Sequence, residues 1–289
     1  MSEAPTTTEV PPPPATTVTT DKNEATTPKR RGYKLSTALF FALIIIVIAA
    51  GKLTENVFSL ASMWAIIAAA MLAFVLALGA DLQGTALGIF INERNLMSLS
   101  RFQLAAWTIL ICSAFVAAGL ARVFAHVADP LGLALPPEVW QLLGISMTSS
   151  VGASLIQKNK ANKEPDPATV DKVADKVGEK TQETGESIQK NLQGISYANA
   201  NPKDARITDM FEGDELANTS YIDVGKVQMF FFTLVTLVAY AVNIYKFMVD
   251  NTPATFTFPV LSSGLVALLG ISHAAYLGSK SVDKTKTTT

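Results

Sequence analysis

The chain has 289 residues, of which 49% are apolar and only 16% charged, with a mean hydropathy of +0.31. The apolar residues stand in long uncharged blocks that a soluble core does not require, so a membrane is their expected solvent. A formal net charge of -1 offers no basic surface for nucleic acid, and the single cysteine, Cys112, rules out an internal disulfide framework.

Residues 1–33 are rich in Thr and Pro and have almost nothing to bury, which predicts a disordered tail. A bilayer core roughly 30 Å thick needs about 20 mostly apolar helical residues. Six segments qualify: Lys34 to Lys52, Val57 to Ala80, Phe102 to Ala121, Val139 to Ile156, Val227 to Tyr245 and Phe258 to Leu277. The short GKLTEN stretch between the first two predicts a helical hairpin over 34–80. The fourth and sixth segments are the least apolar, being rich in Ser, Thr and Gly.

The basic residues set the orientation. Lys29, Arg30, Arg31, Lys34, Arg94, Arg101, Lys158, Lys160, Lys163, Lys226, Lys280, Lys284 and Lys286 all fall on one side of a six-span chain, against Lys52, Arg122 and Lys246 on the other. Both termini and the connection over 158–205 are therefore predicted cytoplasmic, in a plasma membrane of the bacterial inner-membrane kind. The first span is expected as a retained signal anchor, since no small-residue cleavage pattern follows it. Within the connection, Val170, Val173 and Val177 share a helical stripe, predicting a short surface helix or, as the alternative, a coiled coil.

The chain also repeats itself. LLGIS at Leu142–Ser146 recurs at Leu268–Ser272, an offset of 126, and Gly152 matches Gly278. At an offset of 125, Gly88 matches Gly213, Ser98 matches Asp223, Arg101 matches Lys226, Gln103 matches Gln228, Trp107 matches Phe232 and Thr108 matches Thr233. The expected fold is thus all-α and integral to the membrane: six transmembrane helices, with an N-terminal hairpin followed by two tandem, parallel helical hairpins over 81–157 and 206–280. Residues 281–289 are expected as a disordered tail.

Several residues have predicted physical roles. Ser98 and Asp223 suit helix N-caps, Arg101 and Lys226 suit snorkelling to headgroups, and Trp107 suits an interfacial anchor. Gly144, Thr148 and Gly152, and likewise Gly270, Ala274 and Gly278, are spaced by four and predict flat faces for helix packing. The intramembrane polar candidates are Gln103, Thr108, Gln228, Thr233, Thr236, Tyr240, Asn243 and His273. Thr233, Thr236, Tyr240 and Asn243 form one stripe that suits either interhelical hydrogen bonds or a watery path. The segments Gly88–Ser100 and Asp209–Asp223 are expected to rest at the cytoplasmic interface.

No catalytic motif, phosphate loop or Cys/His cluster is present in the sequence, so neither enzymatic activity, cofactor nor metal is expected. The predicted function is a non-enzymatic scaffold or anchor in the lipid bilayer, pairing with copies of itself or with other membrane proteins through the small-residue faces. The alternative is an oligomeric channel or facilitator carrying a solute or ion along the fifth helix.

Overall fold

The computed structural model describes residues 34–53, 59–173 and 190–288. Among these residues the chain is helical, with isolated β-bridges and no strands. The long helices are α1 (Lys34–Leu53), α2 (Leu60–Gln83), α3 (Leu99–Phe124), α4 (Pro137–Ala161), α5 (Val224–Asp250) and α6 (Ser263–Ser281). Four of them, α2 to α5, are long and apolar enough to cross a membrane; α1 carries a shorter apolar stretch, Leu35–Ala49.

The helix ends follow local chemistry. Ser59 caps α2 by accepting from Ser62 N, and Gly84, in the left-handed conformation at φ 74°, closes its other end. Asp81, late in α2, accepts from Ser36 N at 2.8 Å and so places a carboxylate at the N-terminus of α1. The last segment differs from its expected bounds: α6 starts at Ser263, and residues 256–262 are not helical. Pro259 accounts for this, because a proline biases the preceding Phe258 away from helical backbone. Phe256, Phe258 and Leu261 then fold into the core.

Helix α3 is central, packing against α1, α2, α4 and α5. Its Ala114, Ala117, Ala118 and Ala121 are all buried, and short side chains there let neighbouring backbones come close. Trp64 Nε1 donates to Ser113 Oγ at 2.9 Å beside them. A second close approach joins Gly79 of α2 to Gly88: a Cβ on Gly79 would lie 2.6 Å from Ala86 O, and one on Gly88 would lie 2.7 Å from Gly79 O.

The polar connection splits in two. Residues 167–173 are helical, with Val170 buried among Leu96, Tyr197 and Leu216 and with Val173 beside it. Val177 and the coiled-coil alternative fall on 174–189, outside the described residues. Residues 195–199 are buried against the same end of the bundle, so this part is built into the fold. Residues 282–288, expected as a disordered tail, are also held there: Thr287 bridges to Pro165, and Thr285 is buried. Backbone amides satisfied by a carboxylate supply the reason.

Candidate functional site

Each of the helices α3 and α5 is entered through the same local device. A 3-10 turn ends in Phe, as Ala86–Phe90 and as Ile207–Phe211. A loop follows, closed by an isolated antiparallel bridge, Ile91 to Met97 in the first and Glu212 to Ile222 in the second. Then comes the N-cap, with Ser98 N donating to Phe90 O at 2.8 Å and Asp223 N to Phe211 O at 2.7 Å. The second loop is four residues longer, and its extra length carries Asp214 and Glu215.

These two carboxylates organise one end of the bundle. Asp214 meets three cations: Arg94 Nη2 at 2.6 Å, Lys280 Nζ at 2.5 Å and Lys226 Nζ at 3.2 Å. Arg94 Nη1 also donates to the main-chain oxygens of Asp214, at 2.7 Å, and Tyr197, at 3.0 Å. Lys226 adds a bond to Glu212 O at 2.6 Å. Glu215, only 1% exposed, pairs with Lys160 and accepts from Lys284 N at 2.7 Å and Thr285 N at 2.6 Å. The two tie the starts of α3 and α5 and the ends of α4 and α6 into one cap.

The electrostatics follow from this crowding. Burial by itself would raise the Asp214 carboxyl, but Lys226, Lys280 and Arg94 outweigh it and hold the group well below the usual carboxylate range. Asp209 shows the opposite result. Burial pushes its carboxyl up, against the two amides of Arg206 and Met97 that donate to it at 2.8 and 3.2 Å.

Deeper in the bundle lies a second polar feature. An apolar cluster near the cap includes Leu99, Ala153, Met229 and Tyr276, and a larger one beyond includes Trp107, Leu142, Tyr240 and Leu269. Between these levels every buried residue on the four helices is polar: Ser100 and Gln103 on α3, Ser146 and Ser149 on α4, Thr233 and Thr236 on α5, His273 on α6. Gln103 Nε2 donates to Thr233 Oγ1 at 2.7 Å, and Thr236 Oγ1 donates to Phe232 O at 2.8 Å. Gln103 Oε1, Ser149 Oγ and His273 Nδ1 have no hydrogen-bond partner among the described residues.

The polar stripe of α5 is therefore largely turned inward. Tyr240 donates to Pro259 O at 3.1 Å and packs beside the Trp107 ring. Asn243 and Gln228 are exposed on the outside of the helix. Thr108 is also exposed, and its hydroxyl returns to Leu104 O at 2.7 Å. Trp107, expected as an interfacial anchor, is 1% exposed in the core. Lys226, expected to snorkel, is buried against Asp214 because that carboxylate lies within reach. Arg101 turns to Ile91 O and Glu93.

The small-residue faces are divided too. Gly152 lies against Leu277, with a Cβ there 3.2 Å from its methyl, and Gly270 lies against Ile145 at 3.5 Å. Gly144 and Gly278 have nothing within 4 Å of a Cβ, and Thr148 and Ala274 are exposed. The stripe as a whole thus does not form the α4–α6 seam. That seam is Val139, Leu142, Ser146, Ser149 and Ala153 against Val266, Leu269, His273, Tyr276 and Lys280. These sets recur at an offset of 127, one residue beyond the repeated phrase. The buried stripes of α3 and α5 likewise correspond at 126 and not 125, as with Gln103 and Met229 or Trp107 and Thr233. One residue is about 100° of helix, so α5 and α6 turn inward a different side from the one the matched phrases would give.

The Asp214–Glu215 keystone has a signal in the sequence: two adjacent carboxylates in a loop, with basic residues at every neighbouring helix end. No family model, curated protein or solved structure matches this chain.

Proposed function

We propose that this is a six-span membrane protein, an N-terminal hairpin followed by two tandem hairpins with both termini cytoplasmic, that acts as a non-enzymatic scaffold or anchor in an inner-membrane type of bilayer. The observation that carries this reading is the cap itself. Arg94 of one loop and Asp214 of the other are locked at 2.6 Å, and Glu215 draws in Lys160 and the chain end at Thr285. Such a cap fixes the loops and helix ends against one another through buried ion pairs. The like construction of the two loops supports the tandem repeat, and the basic residues gathered at the cap favour a cytoplasmic setting for it.

A scaffold needs outward contacts, and the exposed small residues Gly144, Thr148, Ala274 and Gly278 remain available for a second copy or another membrane protein. The channel alternative draws on the polar layer, but two apolar clusters bracket that layer, and the α5 stripe uses its hydroxyls internally. Purification in nanodiscs with identification of co-isolated proteins, run beside a vesicle flux assay, tests the choice. A Thr236→Leu, Asn243→Leu protein should retain assembly and partners. Solute flux in the parent protein that the double substitution abolishes sinks the scaffold reading.

A further inference from the structure

We propose that the cap holds a binding site for a phosphoryl group, in the pocket between the start of α3 and the last turns of α4. The pocket has a volume of about 370 Å³, within the ordinary range for small-ligand sites, and lies among Arg94, Ser100, Arg101, Gln157, Lys158 and Lys280.

Charge balance is the first ground. Four cations line the pocket, Arg94, Arg101, Lys158 and Lys280, against one lining carboxylate, Glu93. Glu93 pairs with Arg101, and Asp214 must be shared by Arg94, Lys280 and Lys226. Glu215 is taken by Lys160, and Asp223 caps α5. Lys158 has no ion pair among the described residues. Lys158 is exposed, but Arg94, Lys226 and Lys280 are buried around the one carboxylate of Asp214, and that excess of buried positive charge is costly unless an anion meets it.

Unused donors are the second ground, independent of the first. Arg94 is 4% exposed, and both its Nη atoms are engaged, yet its Nε has no acceptor among the described residues. Gln157 accepts from Ser196 Oγ at 2.9 Å, but its buried Nε2 has none either. Both unmatched groups are N–H donors, so the missing partner is an acceptor. The start of α3 adds to this: Ser98 makes no side-chain cap bond, and its hydroxyl instead meets Ser100 Oγ at 3.1 Å. A helix N-terminus beside guanidinium and hydroxyl donors suits phosphate oxygens, which accept several charge-assisted bonds at once.

The phosphoryl group belongs either to an anionic lipid headgroup at the membrane surface or to a soluble phosphate compound. The proposal goes beyond the scaffold reading, and only its lipid source rests on the membrane setting.

The test uses the full chain. Calorimetry with inorganic phosphate in detergent is one arm; thermal stability in nanodiscs of phosphatidylglycerol against phosphatidylcholine is the other. Lys158→Gln, an exposed residue, should weaken phosphate binding or the phosphatidylglycerol response about tenfold, as loss of one charge-assisted contact implies. Lys246→Gln, on α5 away from the pocket, should change neither. Arg94→Lys keeps the charge for Asp214 but removes Nε, and should weaken binding where the protein remains folded. A response to phosphate alone assigns a soluble ligand; a response to phosphatidylglycerol alone assigns a lipid; both assign a site open to either. No response in either arm, or equal effects of Lys158→Gln and Lys246→Gln, overturns the site. The detergent arm is indifferent to topology and partners, so its failure is distinct from failure of the scaffold reading.

Discussion

Arg94 grips Asp214 twice, through the carboxylate at 2.6 Å and through the main-chain oxygen at 2.7 Å. One contact depends on the aspartate side chain and the other only on the loop path. Replacing Asp214 with Asn keeps the shape but leaves three buried cations without a counter-charge, and should cost about 3–5 kcal/mol. Lys226→Met should cost much less, because Asp214 keeps two cations. Thermal unfolding in detergent reads the ranking, and a larger loss for Lys226→Met than for Asp214→Asn contradicts the account of the cap.

The same carboxylate sets a pH dependence. Its folded pKa lies well below its unfolded value, near 3.9, so its contribution is fully present above about pH 4 and is lost as pH falls through the folded pKa. The stability gap between the parent and Asp214→Asn should therefore be flat from pH 8 to 5 and close only under stronger acid. Asp209 has the opposite sign. With its folded pKa raised, its contribution is present below its unfolded value and lost as pH rises through the folded one. Asp209→Asn should flatten that loss in a stability titration across mildly acidic pH.

Glycines separate fold from assembly. Gly88→Ala would set a Cβ 2.6 Å from Gln83 Cβ and 2.7 Å from Gly79 O, so a loss of about 1–3 kcal/mol is expected. Gly144→Ala and Gly278→Ala meet open space, and in helix interiors should be neutral or stabilising by up to about 1 kcal/mol. Unfolding midpoints test the fold, and size analysis in nanodiscs tests assembly. If either outward substitution disperses an oligomer while leaving the midpoint intact, its face is intermolecular.

Gln103 and Thr233 form a buried pair whose members should be costly to remove singly. Gln103→Leu strands the Thr233 hydroxyl, and Thr233→Val strands the Gln103 amide, each by about 1–3 kcal/mol. The double substitution should cost less than the sum of the two. Strict additivity in a double-mutant cycle would show that the 2.7 Å contact carries no stability.

Apolar length alone makes α2 to α5 legible, since few residues in those runs could be left in water. Thr108 is legible for the same reason: with no partner, its hydroxyl must return to its own helix. The start of α6 is less so, because apolar Phe256 and Phe258 resemble helix while Pro259 sets the break. Local preference suits Trp107 and Lys226 to the membrane interface, but it cannot register that a core or a carboxylate waits on another segment.

By itself, then, the amino-acid sequence determines an all-helical chain with membrane-length apolar helices and basic residues at their ends, because hydrocarbon length and local backbone needs act along the chain. Which side of each helix turns inward is decided only in three dimensions. The phrase shared by α4 and α6 recurs at 126, yet their buried stripes recur at 127. A rotation about a helix axis costs nothing locally; only packing against neighbours, and the reach of Lys160 and Lys280 to Glu215 and Asp214, selects one.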